Sequence, residues 1–226
     1  MPDLTYLGHS AFLFKGARGT VVIDPFLRGN PLATAKPEDI VCDHVLLTHG
    51  HGDHIGDGVE IARANGATIV APFELANYCA AQDVAVHPMH IGGAHDFDFG
   101  RVKLTIAHHG SCAPDGTYTG NPCGFLVTME GTTLYHPGDT GLFLDMQLIG
   151  EMNDIDVAVL PIGDNFTMGI TDAVKATELL RPAMVIPMHY KTFDVIDVDP
   201  HAFVDAVTAK GFSSRVLEVG ETLQVE

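Results

Sequence analysis

Four potential metal ligands fall within six residues of the chain, in the segment His49-Gly50-His51-Gly52-Asp53-His54. A short apolar run that predicts a β-strand precedes the segment and a predicted helix follows it, so the segment is a loop at a strand end. Residues i and i+2 of an extended chain point the same way, so the first two histidines can bind one cation together. The Asp-His pair then turns toward a second position. The spacing predicts two metal ions, with glycines where the backbone passes close to them.

Six residues cannot fill two coordination spheres, so further ligands must come from other strand ends. Three places have a His or Asp where a predicted strand gives way to a loop marked by Gly or Pro: His108-His109, Asp139 and His189. Taken singly, Asp139 could instead be the N-cap of a following helix, and His189 a buried structural histidine. Together with the six-residue segment, they predict a shared metal centre.

In order and spacing, these segments resemble the metallo-β-lactamase-fold hydrolases over essentially the whole chain. Further segments resemble the short stand-alone branch of that family, related to the ascorbate-6-phosphate lactonase type and UPF0173-like. These are Leu7-Gly8-His9-Ser10-Ala11, Asp24-Pro25-Phe26, Pro161-Ile162-Gly163 and Pro187-Met188-His189-Tyr190. The resemblance implies a metal-dependent hydrolase, and also a homo-oligomer. His51 stands where the flavodiiron oxygen reductases of this fold carry Glu.

The resemblance also implies the distribution of ligands. It gives His49, His51 and His109 to one metal and Asp53, His54 and His189 to the other, with Asp139 bridging the two. We prefer His109 to His108 because His109 stands next to Gly110-Ser111, where the family's ligand precedes small residues. His9, Asp24 and His136 are expected to orient ligands, although His9 could instead line the pocket. Thr48 is interpreted as structural.

Two ions held about 4 Å apart can share a bridging water and lower its pKa toward neutrality, which makes hydroxide available as a nucleophile. We expect Asp53 and Asp139 to be catalytic and the reaction to be hydrolysis of an ester-like, lactone or phosphoester bond. Imidazole-rich ligation suits zinc, and the carboxylates leave manganese or iron as alternatives. Asn165, Tyr190 and Lys191 are candidates for contacting the substrate.

The elements that must position these residues alternate between strands and helices in two stretches, separated by a period-two stretch from His95 to Ile106. We expect an opening hairpin from Leu4–Phe14 and Thr20–Ile23, and helices from Asp57 to Ala64 and from Leu142 to Glu151. The coarse similarity of the two halves predicts an α/β fold, a four-layer αβ/βα sandwich of two mixed β-sheets flanked by helices. We expect one metallo-β-lactamase-like domain over residues 1–226.

The composition of the chain disfavours some classes of partner and substrate. The chain is 46% hydrophobic, which excludes general disorder, and 12 Lys+Arg against 29 Asp+Glu give a formal net charge of −17. Such a surface repels nucleic acid and anionic lipid, so we expect a small-molecule substrate, no nucleic acid and no membrane. The four cysteines form no C-x-x-C pair and predict buried reduced thiols. The first residues carry no leader-like pattern, which predicts a cytoplasmic protein.

Two other functions remain open from the sequence. One is a non-catalytic metal-binding or interaction protein that keeps the fold, although the intact ligand set weighs against it. The other is a nuclease or phosphodiesterase acting on short oligonucleotides, which the acidic balance disfavours.

Overall fold

Two mixed β-sheets face each other in the structure, a computed structural model that describes residues 1–225. Sheet 1 contains β1 (Asp3–Gly8), β2 (Ala11–Gly16), β3 (Gly19–Ile23), β4 (His44–Leu46), β5 (Thr68–Pro72), β6 (Val86–Met89) and β13 (Thr222–Gln224). Their order across the sheet is β13-β1-β2-β3-β4-β5-β6. The pairings from β13 to β3 are antiparallel and those from β3 to β6 are parallel.

Sheet 2 contains β7 (Ala94–Phe97), β8 (Gly100–Ile106), β9 (Cys123–Met129), β10 (Thr132–His136), β11 (Val157–Pro161) and β12 (Met184–Met188). Its order is β12-β11-β10-β9-β8-β7. The pairings from β7 to β10 are antiparallel, and those from β10 to β12 are parallel. The period-two stretch is thus the β7–β8 hairpin, as its alternation predicts.

The helices cover the outer faces of both sheets. They are α1 (Gly52–Ile55), α2 (Gly58–Asn65), α3 (Phe73–Ala80), α4 (Met146–Met152), α5 (Ile170–Leu180) and α6 (Pro200–Thr208), with short 3-10 helices at Pro37–Asp39 and Asp194–Ile196. α2 and α3 pack on sheet 1, and α4, α5 and α6 pack on sheet 2. The predicted four-layer αβ/βα sandwich is confirmed. No helix in residues 1–225 is long and apolar enough to cross a membrane.

Alternation along the strands divides the core into layers. On β2, Phe12 and Phe14 point into the space between the sheets, where they join Leu104 and Phe125 of sheet 2. Ala11 of the same strand packs in the outer cluster beneath α2 and α3. Because successive side chains point to opposite faces, one apolar strand serves both layers. This packing fixes the strand ends on which the candidate site is built.

The opening segment is a three-stranded unit: the predicted hairpin is present as the antiparallel pair β2–β3, but its first arm, Leu4–Phe14, is two strands and not one. Gly8 pairs with Ala11, and His9 and Ser10 form the turn that divides the apolar run into β1 and β2. Gly8 and His9 have φ of 104° and 57°, in the left-handed region that a strand cannot continue through. Gly8-His9-Ser10 interrupts the apolar run in the sequence, and the turn that these residues form is as buried as the strands on either side.

The helix predicted from Leu142 starts later, at Met146. The hydroxyl of Thr140 accepts a hydrogen bond from His108 N at 2.9 Å, and Gly141 N donates to His108 O at 3.1 Å. These bonds hold the chain directly after Asp139 against the segment that follows β8. Between there and α4 the chain forms a tight turn, in which Met146 N donates to Phe143 O at 3.3 Å and Gln147 N to Leu144 O at 3.0 Å.

Two smaller expectations need correction. The helix predicted from Asp57 to Ala64 is α2, Gly58–Asn65, and the Asp57 carboxylate lies before it and accepts hydrogen bonds from Leu27 N and Arg28 N, at 2.9 Å each. Three cysteines are buried, whereas Cys112 is exposed in the loop between β8 and β9.

Candidate metal centre

Four loops at the carboxyl ends of strands bring the predicted ligands together. The segment from His49 to His54 follows β4, and His109, Asp139 and His189 follow β8, β10 and β12. β8 and β10 are both antiparallel to β9, and β11 and β12 are parallel to β10. The loops after β8, β10 and β12 therefore all leave sheet 2 at the same end of its strands. The site lies where the end of β4 meets this end of sheet 2.

Three histidines form the first group of donors. His49 Nε2 lies 3.0 Å from His51 Nδ1, and His109 Nε2 lies 3.2 Å from the same His51 nitrogen. One nitrogen from each of the three rings lies within 4.8 Å of the others. The structure thus brings together the three residues predicted to share one metal.

The second group includes Asp53 and His54, which lie in the short helix α1; this helix begins at Gly52 and turns both residues away from the first two histidines. Asp53 Oδ2 is 3.9 Å from His54 Nε2 and 3.8 Å from His189 Nε2. Asp139 lies between the two groups: its Oδ1 is 3.1 Å from His54 Nε2, and its Oδ2 is 3.1 Å from His189 Nε2 and 3.6 Å from His109 Nε2. All seven predicted ligands therefore converge, and their binding of metal stays a prediction.

Three buried atoms of the predicted ligands lack hydrogen-bond partners among residues 1–225: His54 Nε2, Asp139 Oδ1 and His189 Nδ1. His54 Nε2 and Asp139 Oδ1 are 3.1 Å apart, yet neither makes a hydrogen bond of acceptable geometry. An unsatisfied buried polar atom costs about 1–3 kcal/mol, so such a pair needs an explanation. A divalent cation would take a lone pair from each. The donor set and this pair of unpartnered atoms fit the predicted metal centre.

The surroundings hold several donors in the protonation state that metals require. Burial would raise the pKa of Asp139, but His189 and His54 outweigh it and hold that pKa well below its usual range. Burial and the neighbouring His54 lower the pKa of His49 well below its usual value. Burial likewise lowers the pKa of His109. Neutral imidazoles and an ionised carboxylate are the forms in which these residues bind a metal.

Asp24 is the acceptor on which two of the histidines depend. It is fully buried, with φ of 44°. Its Oδ1 accepts a hydrogen bond from Thr48 N at 2.8 Å, and its Oδ2 accepts from the Thr48 hydroxyl at 2.6 Å and pairs with His54 Nδ1 at 2.8 Å. A carboxylate only accepts, so His54 carries a proton on Nδ1, and its Nε2, which faces Asp139, is the nitrogen left to bind a metal.

The Thr48 hydroxyl links Asp24 to His49 and orients that ring as well. The hydroxyl gives its only proton to Asp24, so it accepts from His49 Nδ1, 3.0 Å away, and leaves His49 Nε2 free to bind metal. Asp24, His49 and His54 also have donor atoms within 4.8 Å of one another. Asp24 and His54 are already hydrogen-bonded to each other, and His49 is linked to Asp24 through Thr48, so these three residues need no cation between them. Thr48, interpreted from sequence as structural, orients a ligand; the one signal for it was a hydroxyl directly before His49.

His9 links Asp53 of the second group to Thr192, in the segment that follows β12. It is fully buried, with Nε2 3.2 Å from Asp53 Oδ2 and Nδ1 2.8 Å from the Thr192 hydroxyl. That hydroxyl has a poorer alternative acceptor, Tyr190 O at 3.3 Å. We therefore assign the Thr192 proton to His9 Nδ1 and the ring proton to Nε2, where it donates a charge-assisted bond to Asp53. On this assignment His9 orients Asp53 and is not a ligand.

We expect His9→Gln to keep both metal sites, because the glutamine amide still donates to Asp53, whereas His9→Phe should weaken metal binding about 10–100-fold. The measurement is metal content with titration of the metal-free protein. His201→Phe, at an exposed position on α6, is the control. Loss of one metal in the glutamine variant as well would show that His9 is a ligand.

Gly50 has a different role from the one predicted. A Cβ at Gly50 would collide with the Thr119 hydroxyl and lie 3.1 Å from the carbonyl carbon of Cys112. Gly50 N donates to the Ser111 hydroxyl at 3.1 Å, which lies 2.6 Å from the hydroxyl of Thr119. The glycine therefore lets the loop between β8 and β9 press against the first histidines. Gly52 has only Pro114 near, at 3.7 Å.

The remaining predicted residues differ in burial: two are buried and two are exposed. His136 is buried, with its Nε2 2.9 Å from Ser10 O and its Nδ1 accepting from Gly138 N at 3.2 Å, so it shapes the loop that carries Asp139. Tyr190 is buried in the cluster beneath the helices, and burial raises its pKa to about 12. The Asn165 and Lys191 side chains are exposed and make no hydrogen bond or ion pair within residues 1–225, so their contact with substrate stays a prediction.

His108 and His109 diverge in the structure. His109 reaches the cluster, whereas the exposed His108 ring stacks on Phe143, with centroids 5.0 Å apart and planes at 21°. Successive side chains that leave a strand point to opposite sides. The geometry thus favours the choice made from the small residues after His109.

Known proteins are similar to this chain in sequence and in fold. A model of the Beta-lactamase superfamily domain matches residues 3–189. The chain is 55% identical over 225 residues to a UPF0173 metal-dependent hydrolase of Bacillus cytotoxicus, covering 97% of this chain and 98% of that protein. It is also 55% identical to a UPF0173 metal-dependent hydrolase of Desulforamulus reducens, covering 98% and 99%. Igni18, a metallo hydrolase from Ignicoccus hospitalis, superposes with a TM-score of 0.92 at 40% identity, covering 100% of this chain and 98% of that one.

Proposed function

Because the chain belongs to the UPF0173 metal-dependent hydrolases of the β-lactamase superfamily, we propose that its seven converging ligands hold two divalent cations. One site would use His49, His51 and His109, the other Asp53, His54 and His189, with Asp139 shared. The observation that carries this proposal is the position of Asp139, whose two oxygens lie within 3.6 Å of nitrogens from both groups. A single ion bound by Asp139 and one group of three would leave the other three of the seven donors unused.

Zinc is the metal we propose first. Five of the seven donors are imidazoles and two are carboxylates, a set that suits zinc and also accommodates manganese or iron. Bound there, the ions would supply a water of lowered pKa and a positive charge to polarise the scissile bond. No serine or cysteine nucleophile is then required.

Asp53 is the residue that we assign to take the proton of the attacking water. Its contacts with His9, His54 and His189 all involve Oδ2, and Oδ1 has no partner within residues 1–225. The Asp53 side chain is 26% exposed, against 3% for Asp139, so Asp53 faces the open side of the centre. Burial would raise its pKa, but the hydrogen bond from His9 and the charge of His54 keep the carboxyl ionised. An ionised, accessible oxygen is what proton transfer needs.

The substrate class that we propose is a small molecule with an ester-like, lactone or phosphoester bond. The formal net charge of −17 argues against a long polyanion, since a negative surface repels phosphates. Lys191 and Asn165, exposed in loops that follow β12 and β11, are the proposed contacts for the rest of the substrate.

Metal removal tests the proposal directly. We expect chelated protein to lose at least about 99% of its hydrolysis of aryl esters, lactones or bis-p-nitrophenyl phosphate, because no other group here activates water. Two equivalents of zinc or manganese should restore it, with metal content measured in parallel. The exposed-site variant His201→Ala should behave like the parent protein.

The other outcomes of this experiment are informative. Two bound metals without turnover of any substrate would favour a metal-binding protein without catalysis. Cleavage of short RNA together with inactivity on lactones would favour a nuclease. Full activity after chelation, or saturation at one metal per chain, would contradict the dinuclear mechanism.

A further inference from the structure

An exposed apolar stripe runs along α4, outside the metal centre. Leu144, Leu148 and Met152 are 72%, 53% and 71% exposed, and their i, i+4, i+8 spacing places them on one face of the helix and its preceding turn. Ten large apolar side chains are exposed in residues 1–225, and these three together with Ile91 make up four of the ten. Concentrated exposure of this kind is typical of an interaction surface, whereas single exposed apolar residues are ordinary.

A groove lies directly beside the stripe. It has a volume of about 340 Å³ and runs between α4 and the outer face of β8. Ile91, Leu126, Leu148 and Met152 provide much of its apolar lining. The patch thus offers both a ridge of protruding apolar side chains and a slot of the same chemistry to receive one.

Two opposite charges border this groove. Lys103 on β8 and Asp145 at the start of α4 both line it, and neither has an ion-pair partner within residues 1–225. The patch therefore carries no excess of either sign, although the whole chain carries a formal net charge of −17. A strongly basic or strongly acidic partner finds no complementary field here.

From these features we propose that the occupant is a second copy of this chain, paired about a two-fold axis through α4. A two-fold interface uses the same patch on both subunits, so the patch must be complementary to itself. Here the ridge of one copy fills the groove of the other, and Lys103 of each copy meets Asp145 of the other. Apolar contact at a locally neutral patch is also how two copies of so acidic a chain can approach each other.

The surface is connected to the metal centre through one short segment. Leu144 follows Phe143, on which His108 stacks, and Thr140 directly follows Asp139 and is hydrogen-bonded to His108 N. A second copy seated on the stripe therefore covers the chain that leads away from Asp139. The pairing itself does not depend on the proposed chemistry and is tested without it.

The test is the molar mass of the full-length protein by light scattering after size exclusion, over a range of concentrations. We expect Leu148→Glu with Met152→Glu to halve the mass of the wild-type assembly, because four charges would enter an apolar contact. Val41→Glu and Val195→Glu, at positions 77% and 59% exposed outside the patch, should leave the mass unchanged. Circular dichroism checks that each variant is folded.

Exchanging the two charges is an independent test at Asp145, which is exposed, and Lys103, which is partly exposed; neither residue belongs to the apolar core. Lys103→Glu and Asp145→Lys should each raise the dissociation constant at least about tenfold, and the double exchange should restore it. A wild-type protein that is monomeric at every concentration overturns the proposal. So does an assembly whose mass the stripe variants leave intact, or one that the Val41 and Val195 variants dissociate equally.

Discussion

Asp139→Asn is expected to abolish hydrolysis, with a fall of at least about 1,000-fold, and to remove at least one metal from the centre. The Asp139 carboxylate lies within 3.6 Å of donors from both sets, through Oδ1 to His54 and through Oδ2 to His189 and His109. An amide has one acceptor oxygen and a donor nitrogen, so it cannot present two anionic oxygens to two cations. The loss exceeds the roughly 10–100-fold effect of residues that only orient ligands.

The measurements are metal content, metal affinity and the rate with the most active substrate. Asp205→Asn is the matched control, since Asp205 is exposed on α6 and its side chain makes no hydrogen bond within residues 1–225. Activity retained within tenfold, with two metals still bound, would refute the shared role of Asp139. A variant that binds two metals and is inactive would confine that role to the chemistry.

Much of this centre could be predicted from sequence because each ligand is marked by the residues next to it in the chain. Each stands where an apolar strand meets a Gly- or Pro-marked loop, and strand ends are recognisable without the fold. The four-layer architecture follows in the same way from alternation of strands and helices. What holds the ligands in place is not local: Asp24 lies 24 residues before Thr48 and 30 before His54, and no spacing rule connects them.

The errors have different physical origins. The helix predicted from Leu142 begins only at Met146, after a turn in which Met146 N donates to Phe143 O. The turn at Gly8 and His9 is as buried as the strands on either side, although Gly8-His9-Ser10 interrupts the apolar run in the sequence. The role of Gly50 is the one that a partner distant in sequence decides, because Thr119 lies where a Cβ would stand.

Asp24→Asn should be the most damaging substitution outside the ligands themselves. The buried carboxylate faces three donors: Thr48 N, the Thr48 hydroxyl and His54 Nδ1, at 2.6–2.8 Å. The amide offers one acceptor and turns its NH₂ toward a donor, so at least one buried donor is left unsatisfied. It also removes a charge that helps raise the pKa of His54, against the effect of burial. We expect a loss of about 3–5 kcal/mol in the free energy of unfolding.

The same substitution should lower metal affinity about 10–100-fold at both sites, because Asp24 fixes His54 directly and His49 through Thr48. Thr48→Val tests the second branch alone: it removes only the hydroxyl, so it should weaken the site of His49 and spare that of His54, while Thr48→Ser should bind metal normally. Because Asp24 acts on His49 through the Thr48 hydroxyl, combining Thr48→Val with Asp24→Asn should cost less affinity than the sum of the two losses. Strict additivity, measured by metal titration of the four proteins, would mean that Asp24 and Thr48 orient the histidines independently.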